Sequence, residues 1–337
     1  MARYIHGSKI EGNAEDELAW RRVLNEREIN LTIETAFSEL LDNSTAAYSK
    51  DGSISIKNIH MLFEPKTEGK KIRLGRAVFV DDGCGMDNKS LQECLIFGES
   101  SRYNDRTGIG RFGVGMSQCA VFASRFAAVY SKQKGGEWNY VEFDFTGEEF
   151  KDPAPQITDV EAKRPPKDIL DKIGDLEHGT IVILKSFDRA HEPFDKFVKK
   201  FKHYVGRSYR HFIWGSINKF DNIKNNISMY LNGEEIPAFD PLYVTKVKTD
   251  FPDDLPAEEY PFADIPVETD EENSSTETNV QIRMSLLPKE WRQRKGQNRT
   301  KEDKEFEAER HVGDNKCISI LRKGREVGWF IPPHDWP

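Results

Sequence analysis

The apolar run Val78-Phe79-Val80, followed at once by Asp81-Asp82-Gly83-Cys84-Gly85-Met86, constrains the fold more than any other segment. A short apolar run that ends at acidic residues and a Gly-x-Gly turn is typical of a buried β-strand at its end. The Asp81 carboxylate can accept a hydrogen bond from an exocyclic amine, and the glycines let the backbone approach a flat ring. The same residues also fit an ordinary Asp-Gly turn, so this segment alone leaves both interpretations open.

Residues 30–49 have the apolar spacing of an amphipathic helix. Its apolar face is formed by Ile33, Phe37, Leu40 and Leu41. Glu39 and Asn43 are four residues apart, so their side chains lie on one face of the helix, one turn apart. A carboxylate there can hold a water molecule while the amide oxygen binds Mg²⁺, which prefers oxygen ligands. Because E-x-x-x-N also occurs on many solvated helices, the spacing indicates this chemistry only together with other motifs.

Residues 107–116 form a glycine-rich segment that leads into a helix predicted at 115–125. Its glycines free backbone N–H groups to bind phosphate oxygens, and the N-terminus of the following helix favours negative charge. The glycines also match the dinucleotide-binding pattern G-x-G-x-x-G, but that pattern must follow a strand directly, and here polar residues of a long loop predicted at 99–115 precede it. The chain has no G-x-x-x-x-G-K-[ST] motif, which excludes a P-loop enzyme.

The rest of the chain up to about residue 245 predicts alternating helices and strands. His178-Gly179-Thr180 opens an apolar strand at 179–186, in which the Thr180 hydroxyl can support an acid such as Asp81. A Pro-rich, charged excursion is predicted at 151–178. The other predicted elements are helices at 12–26, 88–98 and 193–214, strands at 53–63, 72–81, 126–132, 138–146 and 226–236, a hairpin loop at 64–71 and a turn at Asn232-Gly233.

Composition and charge narrow the class of protein. The 337 residues include no apolar run near the roughly 18 residues of a membrane helix, and the start of the chain lacks a signal-peptide core. We therefore expect an intracellular protein without a membrane partner, cytoplasmic or, in a eukaryote, nuclear. The four cysteines form no Cys-x-x-Cys pair, which argues against a zinc site. The net charge of -8 argues against a protein that coats nucleic acid with its whole surface.

The composition of the sequence changes near Val247, which predicts a second domain. Residues 250–278 are acidic, whereas residues 283–301 are basic and are followed by a strand at 317–324. We expect a first domain at 1–245 and an incomplete second domain at 246–337. The basic segment 283–301 either contacts nucleic acid or is a solvated helix that pairs with the acidic stretch of the same molecule.

The order and spacing of the four motifs resemble the GHKL superfamily of ATPases. The resemblance spans roughly residues 30–186 and includes the E-x-x-x-N helix, the D-x-G-x-G turn, the glycine-rich segment and the Gly-Thr strand. Three segments are most similar to the MORC branch and its bacterial relatives, namely ELLDNSTAA, IGRFGVGM and YLNGEEI. The closing ISILRKGREV resembles a strand of a transducer domain. The resemblance implies an α+β fold, the Bergerat sandwich of helices on a mixed sheet, followed by part of an α/β transducer-like domain.

The resemblance also implies ligands and residue roles. Glu39 is the general base, and Asn43 binds Mg²⁺. Asp81 binds the adenine amine of ATP with support from Thr180. Residues 97–116 form an ATP lid, and residues 1–29 are a candidate dimer-exchange segment. The remaining implied contacts are Gly83, Gly85 and Met86 with the base, and Gly110, Arg111, Phe112, Gly113, Val114, Gly115 and Met116 with the phosphates.

The function implied is Mg-dependent ATP binding and slow hydrolysis that drives an ATP-gated homodimer, with a role on DNA or in defence. Hydrolysis is expected to be slow because Gly328 stands near the position where a transducer lysine is expected, and Lys323 faces the other way if its strand is regular. The alternatives are a non-hydrolysing ATP sensor and a chaperone-like or MutL-like protein with a protein client. A histidine kinase is rejected, because only about thirty residues precede the first motif.

Overall fold

The computed structural model describes residues 4–5, 8–9, 32–95, 123–144, 158–215, 226–261, 263–267, 278–292, 300–313, 315 and 317–330. The chain divides into two compact units, Met1–Gly206 with His211–Ile236, and Arg207–Arg210 with Pro237–Pro337. The predicted helix at 12–26 and the predicted lid at 97–116 lie outside the described residues. So does most of the predicted helix at 115–125, of which only Ala123 is described as helical.

The first unit contains a mixed sheet of eight strands. A separate two-residue pair, β1 (Tyr4–Ile5) and β2 (Ser8–Lys9), precedes it. The eight strands are β3 (Asn58–Glu68), β4 (Lys71–Asp81), β5 (Phe126–Lys132), β6 (Asn139–Asp144), β7 (Glu161–Ala162), β8 (Gly179–Lys185), β9 (Ser228–Leu231) and β10 (Glu234–Glu235). Their order is β10-β9-β3-β4-β8-β5-β6-β7, and only the β3–β9 pair is parallel.

Helix α1 (Ile33–Thr45) confirms the helix predicted at 30–49, with shorter ends. It begins after Thr32, whose hydroxyl accepts a hydrogen bond from the Thr35 amide at 3.2 Å and so satisfies a donor that the first turn leaves open. The four predicted face residues are all buried, namely Ile33, Phe37, Leu40 and Leu41. Phe37 contacts five rings, namely those of Phe63, Phe79, Phe187, Phe197 and Phe201.

The two faces of the sheet carry different side chains, because neighbouring residues of a strand point to opposite sides. Phe79 packs on the α1 side, and Phe197 and Phe201 of α4 (Phe194–Ser208) pack on that side too. Val78 and Val80 pack on the other side in a second cluster, which includes Ile169 of α3 (Lys167–Ile173). Helices therefore pack against both faces of the sheet, and the mixed sheet with helices is consistent with the predicted fold class.

Several predicted boundaries are wrong. The hairpin loop predicted at 64–71 is only Gly69-Lys70, because β3 and β4 continue as an exposed ribbon whose charged residues pair with each other. The helix predicted at 193–214 is divided into α4 and α5 (Arg210–Trp214). The Arg210 side chain donates to the Arg207 carbonyl at 2.7 Å, which satisfies an acceptor at this break.

Other predicted elements agree with the structure in part. The strands predicted at 126–132, 138–146 and 179–186 are β5, β6 and β8. The excursion predicted at 151–178 is wrong where it contains β7 and α3. Helix α2 is Asn88–Glu93, shorter than the predicted 88–98. The predicted turn at Asn232-Gly233 is confirmed, with φ of 52° and 86°, and it joins β9 to β10.

The second unit has small antiparallel pairs and one α-helix among its described residues. The pairs are β11 (Glu258–Glu259) with β14 (Ser285–Leu286), β12 (Ala263–Val267) with β13 (Thr278–Ile282), and β15 (Ile318–Arg322) with β16 (Arg325–Phe330). The helix is α6 (Lys301–Glu309), and the core includes Tyr243, Trp291 and Val312. The strand predicted at 317–324 is confirmed as β15, and Lys323 lies in the following turn with φ of 50°.

The basic segment 283–301 is not one α-helix. Its described part contains β14 and a 3₁₀ turn at Lys289–Trp291, because Trp291 is buried against Tyr243 and Phe306 in the core of this unit. Arg283 forms an ion pair with Glu259, at 2.5 Å between Nη2 and Oε1. This pair agrees with the alternative in which the basic segment contacts the acidic stretch of the same molecule.

A buried ion cluster in the second unit has no counterpart in the sequence predictions. The Glu326 carboxylate accepts hydrogen bonds from Arg207 at 2.8 Å and from Arg210 at 2.6 Å. All three side chains are buried. Burial of charges this deep is tolerated only with close partners, so Glu326 fixes the β15–β16 hairpin to residues 207–210.

None of the helices among the described residues is long and apolar enough to cross a membrane.

Candidate functional site

Helix α1 carries Glu39 and Asn43 on its less buried side. Both side chains are partly exposed, whereas Leu40, Leu41 and Asp42 between them are buried. The two residues are therefore one turn apart on one face, as their spacing predicts. The helix positions them because its apolar face is held against the sheet by Phe37 and its ring neighbours.

Three buried polar residues form a row across neighbouring strands on the same side of the sheet. Asp81 is the last residue of β4 and faces Thr180 on β8, and Thr180 faces Ser131 on β5. Asp81 and Thr180 are each less than a tenth exposed, and Ser131 is 0% exposed. By strand alternation, Asp81 points to the same face as Phe79, the face that α1 covers.

The Asp81 carboxylate has three neighbouring donors. Oδ2 accepts a hydrogen bond from the Ser44 hydroxyl at 3.0 Å, and Oδ1 accepts one from the Gly83 amide at 3.0 Å. Burial raises the pKa of Asp81 to about 7, and Asp82 adds to the increase, whereas the donors Gly83, Ser44 and Thr180 lower the pKa. Near neutral pH this buried acid is therefore poised between its charged and neutral forms.

The Thr180 hydroxyl does not bond to Asp81 directly. It lies 3.1 Å from the Ser131 hydroxyl, and Ser131 also lies 3.2 Å from the Gly179 carbonyl, which it can donate to. Ser131 further accepts a hydrogen bond from the Met86 amide at 2.8 Å. Ser131 therefore connects the Asp81–Met86 turn to both β5 and β8.

The glycines of the turn are required by close backbone approaches. A Cβ atom at Gly83 would lie 2.4 Å from Ala47 Cβ, and one at Gly85 would lie 2.1 Å from the Lys132 carbonyl oxygen. Gly85 also has φ of 70°, which favours glycine. These contacts hold the turn against the end of α1 and against β5. The described structure thus gives the glycines a packing role, and their predicted contact with a base stays a prediction.

Sequence reasoning missed Ser44 and Ser131, and it gave His178 no role of its own. Ser44 directly follows the predicted magnesium ligand, and Ser131 is a small polar residue directly after the apolar run 126–130 of its strand, which was an available signal. His178 Nδ1 lies 2.7 Å from the Gly83 carbonyl oxygen and donates to it. The predicted phosphate ligands Gly110, Arg111, Phe112, Gly113, Val114, Gly115 and Met116 lie outside the described residues.

Residues 31–180 match a family model described as "Histidine kinase-, DNA gyrase B-, and HSP90-like ATPase". No curated protein matches the chain. The matched residues include α1, the Asp81–Met86 turn and the start of β8.

Residues 31–180 are therefore similar to ATPase domains of the GHKL type, and the mixed sheet is consistent with such a domain. The match ends at Thr180, so it includes none of the second unit.

Proposed function

We propose that this protein binds Mg-ATP and hydrolyses it slowly. The observation that carries the proposal is Asp81, a buried carboxylate at the end of β4, on the sheet face covered by the helix that bears Glu39 and Asn43. A buried acceptor of this kind suits the exocyclic amine of adenine, and the helix supplies a carboxylate and an amide oxygen one turn apart.

The residues fit the magnesium ion that such a reaction requires. Asn43 offers an amide oxygen on the partly exposed side of α1, and hard cations bind through oxygen. When bound, Mg²⁺ neutralises charge on the phosphates. Phosphoryl transfer otherwise depends on positioning and on an oriented nucleophile, and these tasks fall to the chain's own residues.

Each residue has one task in the proposed reaction. Glu39 orients the attacking water and accepts its proton. Asp81 accepts from the adenine amine, and Thr180 supports Asp81 through its backbone. Gly83, Gly85 and Met86 line the base, and residues 110–116 bind the phosphates. Slow turnover is proposed because Gly328 stands in the sequence near the position where a transducer lysine is expected.

The proposed output is a MORC-like, ATP-gated homodimer, with residues 1–29 exchanged between protomers and residues 246–337 acting as a transducer. The basic segment 283–301 is the candidate contact with nucleic acid. A non-hydrolysing sensor, or a chaperone-like or MutL-like protein with a protein client, is the alternative.

The test of hydrolysis is the Glu39→Gln variant, with Glu68→Gln on the exposed ribbon as the matched control. Glu39→Gln keeps the shape of the side chain but removes the base. We expect it to bind ATP with the affinity of the wild type and to lose at least about a hundredfold in single-turnover rate. The Glu68→Gln control is expected to keep the ATP affinity and the single-turnover rate of the wild type. An unchanged rate in Glu39→Gln would show that Glu39 is not the base, and a wild type that binds ATP without turnover would favour the sensor.

The test of the output is sedimentation with and without a non-hydrolysable ATP analogue. A monomer in both conditions would refute the dimer switch. DNA binding at increasing salt, compared with a variant in which Arg292, Arg294 and Lys295 are changed to Ala, tests the contact. A flat salt dependence or an unchanged affinity would leave the basic segment without this role.

A further inference from the structure

The end of helix α1 is fixed against the turn that follows Asp81. Besides the Ser44–Asp81 hydrogen bond, the Cys84 amide donates to the Ala47 carbonyl at 3.2 Å. Ala47 also fills the space where Gly83 would otherwise hold a side chain. The helix that bears Glu39 and Asn43 is therefore in direct contact with the acid at the end of β4.

The Ser44 hydroxyl determines which hydrogen-bonding role Asp81 can take. Ser44 is 5% exposed, and its hydroxyl donates to Oδ2, while the Gly83 amide donates to Oδ1. An ionised carboxylate is only an acceptor, but a protonated one has an O–H that can donate. A hydrogen bond donated to Oδ2 stabilises the ionised carboxylate, so Ser44 favours the form of Asp81 that only accepts.

This distinction matters for the base that the site can bind. A 6-amino purine presents a donor, the exocyclic amine, whereas a 6-oxo purine presents a carbonyl acceptor. An acceptor-only Asp81 binds the first and repels the second, whereas a protonated Asp81 can donate to the carbonyl of the second. A site with a fixed buried acceptor discriminates strongly, because the wrong base leaves polar groups unpaired.

We propose that Ser44 is a positioning residue that keeps Asp81 an acceptor and so sets the preference for 6-amino over 6-oxo purine nucleotides. This inference rests on the proposed ATP binding. It connects base selection to the helix of Glu39 and Asn43, since Ser44 directly follows Asn43 on α1.

The other groups around Asp81 also affect the equilibrium between its protonated and ionised forms. The charge of Asp82 favours the protonated form of Asp81, and the Thr180 backbone on β8 favours the ionised form. His178 is engaged with the Gly83 carbonyl, and the Lys132 ammonium donates to the Leu176 carbonyl at 3.1 Å. Ser44 is thus the side-chain donor to this carboxylate from α1.

The experiment compares Ser44→Ala with Thr45→Ala, which removes the neighbouring hydroxyl. Thr45 donates to the Asp42 carbonyl of its own helix at 2.9 Å and therefore controls for a general effect on α1. Binding of ATP and of inosine triphosphate with Mg²⁺ is measured by calorimetry from about pH 6 to about pH 9, with circular dichroism as the folding check.

We expect Ser44→Ala to reduce the ratio of ATP affinity to inosine triphosphate affinity about tenfold near neutral pH. The rise of ATP affinity with pH should move up by roughly one pH unit, so the difference from the wild type disappears at the alkaline end. Thr45→Ala should keep the ratio and pH profile of the wild type. If Ser44→Ala does not fold, Ser44→Cys retains a weaker donor of similar size and should give a smaller shift in the same direction.

An unchanged ratio and pH profile in the folded Ser44 variant, with the wild type binding ATP, would overturn the inference but leave the proposed function intact. An equal change in Thr45→Ala would overturn it as well. A wild type that binds neither nucleotide would instead refute the proposed function, and this inference with it.

Discussion

Replacement of Asp81 by Asn should make the protein's stability less dependent on pH. The reason is that Asp81 is 6% exposed and burial raises its pKa from the ordinary value of 3.8 to about 7. The native state therefore keeps a proton that the unfolded chain releases at a much lower pH. The raised pKa of Asp81 therefore stabilises the native state fully below about pH 3.8. This stabilisation is lost as the pH rises through about 7.

The size of the effect follows from these two pKa values. The full difference is worth roughly 4 kcal/mol, at about 1.4 kcal/mol per unit of pKa. Between about pH 5.5 and about pH 8, this group alone should lower the free energy of unfolding by about 2 kcal/mol. Asn does not titrate, so the Asp81→Asn variant lacks this decline. Its amide oxygen can still accept from Gly83, and the Ser44 hydroxyl can turn to accept from its amide nitrogen.

The assay is urea unfolding of both proteins at several pH values, followed by circular dichroism. All other titrating groups are shared, so the difference between the two free energies of unfolding isolates Asp81. That difference should shift by about 2 kcal/mol in favour of the variant as the pH rises from about 5.5 to about 8. A difference that is constant across this range would show that Asp81 is ionised throughout and would refute the burial argument. The variant should also bind ATP more weakly above about pH 7, because the amide has one acceptor oxygen where the ionised carboxylate has two.

Three further changes test the packing. Phe37→Ala should lower the free energy of unfolding in urea by about 3–5 kcal/mol, because Phe37 is 0% exposed among five rings. The control Ile72→Ala, at a site 54% exposed, should lower it by less than about 1 kcal/mol. Equal losses would contradict the assigned core. Gly85→Ala should lower the melting temperature more than Gly52→Ala. Both glycines have φ near 70°, but only at Gly85 would the added Cβ clash with the Lys132 carbonyl oxygen. Similar losses in the two variants would mean that backbone strain alone determines the loss of stability. Glu326→Gln should lower the free energy of unfolding by about 3–5 kcal/mol, because it leaves two arginines buried without their carboxylate. The control Glu259→Gln breaks a more exposed ion pair and should cost about 1 kcal/mol or less in the same measurement. A small loss in Glu326→Gln would show that the buried arginines find other partners.

The features that sequence predicted well depend on local patterns. The face of α1 follows from residues three and four apart, and the position of Asp81 follows from an apolar run that ends at acids and glycines. The turn at Asn232-Gly233 follows from residues that tolerate positive φ. In each case the physical cause lies within a few residues of the chain, so the sequence displays it directly.

The errors arise where charge and apolar content were used to infer a boundary. Charged residues at 64–71 indicated a loop, but a two-stranded ribbon beyond the core is exposed on both faces and tolerates them. Arg207 and Arg210, on either side of the division of helix 193–214, contact Glu326 more than a hundred residues further along the chain. No local window contains that information.

The sequence by itself determined the similarity of residues 31–180 to ATPases of the GHKL type, the helix of Glu39 and Asn43, and the strand that ends at Asp81. Tertiary structure alone decided that Asp81, Thr180 and Ser131 form one row, and that Ser44 donates to Asp81. The physical reason is register. Periodicity assigns a residue to a face of its own helix or strand, but which distant residue it meets depends on how the elements pair, and that is set by the packing of the whole sheet and its helices.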